Sequence, residues 1–502
     1  MTHPPKGTPA PPGQPATPTT PAVPPQSGAS AAQYGATATA TAPRSGPSSP
    51  PGRPATPDAT PARRTAWAEG VDRLRAAATT EPGRLRLIGA VLALLVVAFG
   101  TVTAWQMTER SNAADDVLHS SQPLSAGAAD IYRSLADANT AASSGFLAGG
   151  QESADTRDRY EKDIRTAAQG LITAAANSDP GSPSADTIAK LNKLLPEYKG
   201  LIERARANNR QGYPLGGAYL RYANEKMQGE MLPEAGELYT RESARLSADY
   251  ADAKPYPWAA IGLGVLALGG LFWAQRRHYH RTNRVLNQGL VAATAASAVV
   301  LLWLVVGHSV ARAGLNSSYN HGVRSLNVLH DARIASLKAR GNENLTLVNR
   351  GAETKQVSET ESVDLYDYDF QQDMKTLTKG LALAEGLADD TAGQKPVEAA
   401  TANMKVWKSR HQEARAADDA GDYQGALNKV IGSAADKPTG ECFDGVDTNL
   451  ETALTHEESE FKQAAGNGRD AMSGLPAGAA VLAVLAASGA LLGIGRRLSE
   501  YR

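Results

Sequence analysis

The sequence lacks several features that mark common classes of protein. A single cysteine in 502 residues excludes an intramolecular disulfide framework and a metal site built from several cysteines. The 51 basic and 52 acidic residues nearly balance, whereas nucleic-acid-binding proteins usually carry a basic excess. The phosphate-binding motif G-x-x-x-x-G-K-[ST], the metal motif H-E-x-x-H and the nucleophile motif G-x-S-x-G are also absent. We therefore expect no enzymatic activity, no cofactor, no metal site and no nucleic-acid partner.

Proline is scarce beyond residue 61, because 17 of the 29 prolines fall in the first 61 residues. Residues 1–80 are rich in Pro, Ala and Thr, a composition that buries too little apolar surface to offset the entropy of ordering. The composition predicts a disordered tail. This tail could be a docking arm or a plain solvated segment.

Charged residues are missing from four long apolar runs, at 87–105, 257–274, 289–307 and 475–495. About 20 helical residues cross the roughly 30 Å hydrocarbon core of a bilayer, so each run predicts a transmembrane helix. Ion-coupled transporters usually place ionisable groups inside their spans, and the apolar runs therefore disfavour a transporter.

Arginine marks one end of each predicted span. The arginines are Arg84 and Arg86 before the first span, Arg276, Arg277, Arg281 and Arg284 between the second and third, and Arg496, Arg497 and Arg502 after the fourth. The positive-inside rule places these ends in the cytoplasm. We therefore predict a multi-pass plasma-membrane protein with both termini, the loop 275–288 and the end 496–502 in the cytoplasm.

The two long segments between spans, 106–256 and 308–474, resemble each other. Residues 160–171 (YEKDIRTAAQGL) align without gaps with residues 370–381 (FQQDMKTLTKGL), and apolar residues recur every three or four positions in both. The sequence therefore predicts an all-α membrane protein. Its four transmembrane helices carry two tandem extracytoplasmic helical bundles related by internal duplication.

Two carboxylates take the same position in the two repeats. Asp163 and Asp373 could bind the amine of a ligand, or they could be solvated or capping side chains. A run of acids in the second segment is interpreted as a solvated helix face. The run comprises Glu359, Glu361, Asp364, Asp367 and Asp369.

The most irregular segment of the first bundle is the turn at 208–221, which contains GYPLGGAYLR. Glycine and proline here require a shaped turn, and its aromatic and cationic side chains suit an interface. The candidate partner-binding residues are Arg210, Tyr213, Pro214, Gly216, Tyr219 and Arg221. A plain turn between helices is the alternative.

Two single residues have open interpretations. His411 replaces an apolar position of the first copy's helical stripe, where it could be a packing residue or a pH sensor. Cys442 could form an intermolecular disulfide or remain a partly buried thiol.

The four-span topology, the tandem bundles and the turn GYPLGGAYLR together resemble one actinobacterial family over about residues 80–502. It is the GlnX-like family, which acts with a solute-binding lipoprotein and the soluble serine/threonine protein kinase G. The bundles also resemble the four-helix ligand domains of bacterial chemoreceptors. The resemblance implies amino-acid sensing: the lipoprotein binds aspartate, glutamate or a relative outside, and the signal reaches the kinase inside.

These observations favour a non-enzymatic transmembrane sensor or adaptor, because large paired outer domains stand on spans with small cytoplasmic parts. The alternative is a structural or envelope-assembly membrane protein without a small-molecule ligand. The expected partners are the lipid bilayer and, by resemblance, the lipoprotein and the kinase. The sequence leaves open whether the chain forms a homo-oligomer.

Overall fold

The computed structural model describes residues 80–282, 287–358 and 361–499, which belong to one compact unit. The predicted tail lies outside the described residues except for Thr80. Parts of two predicted cytoplasmic segments, 283–286 and 500–502, also lie outside them.

The first half of the chain is helical throughout its described elements. In chain order these are α1 (Glu81–Asp116), a π-helical segment (Val117–Ser121), α2 (Gln122–Leu147), a 3-10 turn (Gly149–Gln151), α3 (Ala154–Asn177), α4 (Pro183–Arg210), α5 (Leu215–Lys226), a second π-helical segment (Met227–Met231), α6 (Leu232–Ala253) and α7 (Trp258–Thr282).

The second half has a similar order of helices and adds a short hairpin. Its elements are α8 (Gln288–Ser317), a π-helical segment (Ser318–Val323), α9 (Arg324–Asn349), β1 (Thr354–Gln356), β2 (Ser362–Asp364), α10 (Leu365–Leu387), α11 (Thr391–Asp419), α12 (Tyr423–Ile431), a 3-10 turn (Ala434–Asp436), α13 (Thr439–Met472) and α14 (Leu475–Ser499).

Four helical stretches are long and apolar enough to cross a membrane: Gly83–Leu147, Leu215–His280, Gln288–Asn349 and Thr439–Arg496. They contain the four predicted spans, which lie on α1, α7, α8 and α14. A helix of 65 residues is about 98 Å long, far more than the thickness of a bilayer core. The helices α1 and α8, which carry two of the predicted spans, therefore continue through π-helical segments into the bundle helices α2 and α9.

Small residues bring the span helices α8 and α14 into close contact. A Cβ atom added to Gly289 would lie 2.3 Å from the Gly489 carbonyl oxygen and 2.6 Å from the Gly493 Cα. Only glycine permits this approach, which is typical of small-xxx-small packing between membrane helices.

The helix starts are set by local side chains. Ser153 accepts a hydrogen bond from the Thr156 amide at the start of α3, and Asp364 accepts one from the Asp367 amide at the start of α10. Such caps satisfy amides that the first helical turn leaves unpaired.

The apolar stripes predicted for the two repeats are buried. They comprise Tyr160, Ile164, Ala167 and Leu171 on α3, and Phe370, Met374, Leu377 and Leu381 on α10. The helices α3 and α10, which carry these stripes, hold corresponding places in the two halves. A shared order of helices does not by itself demonstrate duplication, so the internal duplication stays a prediction.

Both halves share one interior. Buried apolar residues of α2 to α6 and of α9, α10, α11 and α13 form a continuous core, and the central helices α2 and α9 lie against each other. The Thr140 hydroxyl donates a hydrogen bond to the Leu337 carbonyl oxygen at 3.2 Å, and the Asn344 amide donates one to the Ser144 hydroxyl at 2.8 Å. A change in the packing of one bundle therefore acts directly on residues of the other.

The antiparallel hairpin β1–β2 was not predicted. It uses part of the acidic run that the sequence suggested to be a solvated helix face. Asp364 ends β2 and caps α10, while Asp367 and Asp369 are partly buried on α10. The interpretation was therefore wrong for these three residues, because a hairpin and the first turns of a packed helix replace the expected solvated face.

Candidate functional site

A cleft of about 690 Å³ opens between the two halves of the chain. Helix α5 of the first half forms one wall, and α9, α10 and the loop before β1 form the others. Its charged lining residues are Arg221 and Glu225 on α5, Lys338 on α9, Glu353 before β1, and Asp369 and Asp373 on α10. We call this set the α5–α10 cleft.

Two carboxylates of α10 face this cleft in a partly buried setting. Asp373 accepts a hydrogen bond of 2.9 Å from the Asn342 amide. Burial raises the pKa of Asp373 to about 6, although the nearby charge of Lys338 acts in the opposite direction. Burial also raises the pKa of Asp369, against the charges of Lys355 and Lys338. Burial therefore makes ionisation of these two carboxylates unfavourable in the cleft.

A tyrosine joins the loop before β1 to α10 at the edge of the cleft. The Tyr366 hydroxyl donates a hydrogen bond of 3.1 Å to Glu353 Oε2. Burial raises the pKa of Tyr366, so the phenol stays protonated and keeps this donor. The contact fixes Glu353 beside the α10 carboxylates.

The cleft brings together one residue from each predicted set. Arg221, a candidate partner-binding residue, and Asp373, a candidate ligand position, both line it. Asn224 lies on the same wall as Arg221 and accepts a hydrogen bond of 2.9 Å from the buried Asn139 on α2. This contact fixes α5 against the central helix.

The other predicted partner-binding residues separate into an exposed and a packed group. Arg210 and Tyr213 are exposed where α4 ends, with Pro214 exposed beside them. Gly216 is buried, and an added Cβ would lie 3.0 Å from both the Ala205 carbonyl oxygen and the Asn209 amide nitrogen. Gly216 and the half-buried Tyr219 therefore pack α5 against the bundle. The turn does not present all six residues on one surface.

Asp163, the counterpart of Asp373, lies outside the cleft. It is buried, its carboxylate is 3.7 Å from the Arg133 guanidinium, and one of its oxygens has no hydrogen-bond partner. Burial raises the pKa of Asp163, and the neighbouring Asp137 carboxylate raises it further. The two repeat positions are thus both partly or fully buried, but they have different surroundings.

A network of ion pairs near Asp163 links the two halves. Arg159 on α3 lies 2.9 Å from Asp137 on α2 and 3.0 Å from Asp444 on α13. Arg333 on α9 lies 2.7 Å from Asp447, which is also 3.8 Å from Arg159. Arg159 therefore bridges helices that are far apart in the sequence.

A second cleft, of about 350 Å³, lies next to this network. It is lined by the start of α3, the end of α12 and the start of α13. The two clefts are built alike. Each lies between a short helix of one half and the helix that follows the central helix in the other half.

His411 lies in a buried charged network that the sequence did not reveal. Its Nδ1 is 2.9 Å from Glu343 Oε1, its Nε2 is 3.0 Å from Asp367 Oδ1, and its ring stacks on Phe370 at 3.7 Å. Burial alone would lower the pKa of His411, but hydrogen bonds with Asp367 and Glu343 raise it. His411 therefore packs in the core against Phe370 and also forms hydrogen bonds with two carboxylates.

Glu343 is held in this network by four donors. The Arg340 guanidinium lies 2.6 Å from Glu343 Oε2, and the Trp407 indole and the Thr439 hydroxyl donate at 3.1 Å and 3.0 Å. Burial alone would raise the pKa of Glu343, but the hydrogen bond from His411 and the charge of Arg340 lower it. The only sign of this network in the sequence was that His411 occupies an apolar position of a helical stripe.

Two further polar groups complete the survey. Asp390, His456 and Glu460 place potential ligand atoms within 4.8 Å of one another and could hold a metal ion, a group that the sequence did not predict. Cys442 is buried as a free thiol, which corresponds to the simpler of its two interpretations.

Comparison with known protein families finds a similarity for part of the chain. Residues 113–251 match the family model described as an actinobacterial sensor domain. The match begins near the end of α1 and stops before α7, so it covers the first bundle. No curated protein and no solved structure matches the chain. The first bundle is therefore similar to actinobacterial sensor domains, and this similarity supports a sensing role.

Proposed function

We propose that the protein is a non-enzymatic transmembrane sensor or adaptor. The observation that carries this proposal is the sensor-domain match over residues 113–251, which begins on α1, the helix that carries the first apolar run and continues through a π-helical segment into α2. A sensory domain joined to a membrane helix without a break can pass a change in packing across the bilayer.

The π-helical segments are suitable points for such a change. Val117–Ser121 lies between α1 and α2, and Ser318–Val323 lies at the corresponding place between α8 and α9. A π-helical turn contains more residues than a regular α-helical turn. Conversion of the segment to regular α-helix would therefore rotate or shift the helix before it relative to the helix after it. Movement of the central helices α2 and α9 would then be transmitted to α1 and α8 together.

The proposed signal is amino-acid availability, received outside from a solute-binding lipoprotein and passed inside to a soluble serine/threonine kinase. The support for this signal is the resemblance in topology and turn sequence. The arginine clusters support a topology with both termini in the cytoplasm. Exposed residues Arg210 and Tyr213 at the end of α4 are then available to the lipoprotein.

The test is in-membrane crosslinking of the tagged full chain, with and without amino acids, followed by mass spectrometry. We expect a solute-binding lipoprotein and a serine/threonine kinase, with recovery that changes with amino-acid supply. A Tyr213→Ala, Arg210→Ala variant should lose the lipoprotein and keep the kinase. Recovery of envelope proteins alone, unchanged by nutrients, would contradict the proposal and favour the structural alternative.

A further inference from the structure

Three cations lie just beyond the predicted spans, at the ends opposite to the arginine clusters. They are Arg110 on α1, Lys254 at the end of α6 and Arg312 on α8. Arg110 and Arg312 lie five residues past the ends of their apolar runs, a distance of about 7.5 Å along a helix. Lys254 lies three residues before the next run. The headgroup layer on each side of a bilayer is roughly 5–8 Å thick, so these side chains lie at headgroup depth. We call the three residues the outer cation cluster.

The outer cation cluster is assembled around the short junction between α6 and α7. The Arg110 Nε donates a hydrogen bond of 2.8 Å to the Pro255 carbonyl oxygen, which ties α1 to this junction. The Arg312 guanidinium lies 4.8 Å from the centre of the Tyr256 ring, which ties α8 to it. Lys254 directly precedes Pro255 in the chain. Three separate parts of the chain therefore bring positive charge to one place.

The outer cation cluster has no counter-charge of its own. Within the described parts of the chain, no carboxylate lies within ion-pair distance of any of its three members. The Lys254 Nζ lies 4.1 Å from the centre of the Tyr319 ring, but an aromatic ring carries no net charge. By contrast, Arg469 on α13, which lies six residues before the fourth span helix, has Asp115 at 2.8 Å. Unpaired cations on this side also run against the positive-inside bias.

A buried histidine beside the cluster lacks a hydrogen-bond partner. His308 is one turn before Arg312 on α8, and its ring packs edge-on against Tyr256 at 5.1 Å. It is only 1% exposed, and neither of its ring nitrogens makes a hydrogen bond with the described residues. Buried polar groups are normally paired, and an imidazole can donate a hydrogen bond to an oxygen acceptor. The free donor and the unpaired cations suit the same partner, an anion with several oxygens.

We propose that the outer cation cluster binds the phosphate group of an anionic phospholipid, with His308 as an additional donor. A lipid phosphate carries negative charge and acceptor oxygens, and the bilayer holds it at the depth of these side chains. Trp105 and Trp258, at the same ends of their spans, are 61% and 71% exposed, as expected for residues at the membrane interface. The inference goes beyond the proposed function, because it depends on the spans and not on a sensed signal.

The bound phosphate would join three parts of the chain at the membrane surface. Arg110 and Arg312 lie on α1 and α8, the helices that continue into the central helices α2 and α9. Burial and the nearby charge of Arg312 lower the pKa of Lys254, so like charges repel one another here. An anion among them would offset this repulsion and hold the outer ends of α1, α7 and α8 together.

The test is thermal unfolding of the full chain in a neutral detergent, titrated with short-chain phosphatidylglycerol, short-chain phosphatidylcholine or inorganic phosphate. We expect phosphatidylglycerol to raise the melting temperature at concentrations where the other two have no effect. Lys254→Gln and Arg312→Gln should each weaken the apparent affinity for phosphatidylglycerol about fivefold, the effect of one cation near a lipid surface. The double variant should weaken it about 25-fold if the two effects are additive.

The matched control is Arg469→Gln, because Arg469 lies at a similar distance from the membrane and is already paired with Asp115. It should change the affinity by less than about twofold. Lys254→Arg and Arg312→Lys keep the charge and should keep the binding, which separates loss of charge from loss of folding.

Equal stabilisation by both lipids, or unchanged binding of phosphatidylglycerol by the folded double variant, would overturn the inference. Stabilisation by inorganic phosphate that is lost in the double variant would assign the cluster to a free anion and contradict the lipid assignment. None of these results involves a nutrient response or a protein partner, so failure here is distinguishable from failure of the proposed function.

Discussion

The imidazole of His411 lies between two carboxylates that come from different helices: its Nδ1 is 2.9 Å from Glu343 on α9, and its Nε2 is 3.0 Å from Asp367 on α10. Because His411 itself belongs to α11, three helices of the second bundle meet at one charge. The arrangement is most stabilising while the imidazole is protonated, because both ring nitrogens can then donate to the carboxylates.

Replacement of this histidine should therefore be costly. In His411→Gln the positive charge is lost and Glu343 stays buried with fewer partners, so we expect a loss of about 3 kcal/mol in the free energy of unfolding, the range found when one partner of a buried ion pair is removed. Chemical unfolding in detergent, followed by circular dichroism, measures this loss. His119→Gln, at an exposed i,i+4 pair with Asp115, is the control and should change little.

The same network predicts a dependence on pH. The folded-state pKa of His411 is raised above its usual value of 6.5, so its contribution to stability is complete below pH 6.5. That contribution should be lost as the pH rises through the higher folded-state pKa. Melting temperatures from pH 5.5 to 9 should decline more steeply in the unaltered protein than in His411→Gln. An identical profile for both proteins would contradict a charged imidazole.

Substitution of Asp163 should stabilise the protein, whereas substitution of His411 should destabilise it. Its folded-state pKa is raised to about 8 from the ordinary 3.8, so folding must keep a proton that the unfolded chain releases. The resulting penalty is absent below pH 3.8, grows as the pH rises, and becomes constant above about pH 8. Asp163→Asn should therefore raise the melting temperature at pH 7–8 and have less effect near pH 4.

The control for this prediction lies on the same helix. Asp158 is exposed on α3, and Asp158→Asn should leave the melting temperature nearly unchanged at both pH values. A destabilised Asp163→Asn at neutral pH would mean that Asp163 is ionised and paired in the folded state.

Contact between α8 and α14 should depend on glycine at one position. A side chain at Gly289 would meet the α14 backbone at 2.3 Å, so Gly289→Leu should force the helices apart and cost about 1–3 kcal/mol, the range for overpacking. Thermal unfolding in nanodiscs measures the effect. Gly262 on α7 has no atom within 4 Å of an added Cβ, and Gly262→Leu should be tolerated. Equal melting temperatures for the two variants would argue against this packing.

Local patterns predicted much of this architecture. The four helices that are long and apolar enough to cross a membrane follow from uncharged runs. Stripes such as Tyr160 and Leu171 follow from a three-to-four periodicity that depends only on neighbouring residues. The sites depend on tertiary contacts instead. Arg159 and Asp444 are 285 residues apart, and nothing in either local sequence indicates that they meet. Asp163 and Asp373 were selected by their repeat position, but only the fold shows that one lies in a cleft and the other in a buried ion-pair network.

The sensor account requires the spans to move relative to one another when the signal changes. The pair Gly89 on α1 and Ile494 on α14 allows a direct measurement, because a Cβ at Gly89 would lie 3.6 Å from the Ile494 Cβ, within disulfide range. Cysteines would be introduced at both positions in a Cys442→Ser background, with each single-cysteine variant as control. Because the cytoplasm keeps thiols reduced, the rate of disulfide formation by an added oxidant would then be measured in isolated membranes with and without amino acids. The account predicts rates that differ between the two conditions, and the same rate in both would contradict it.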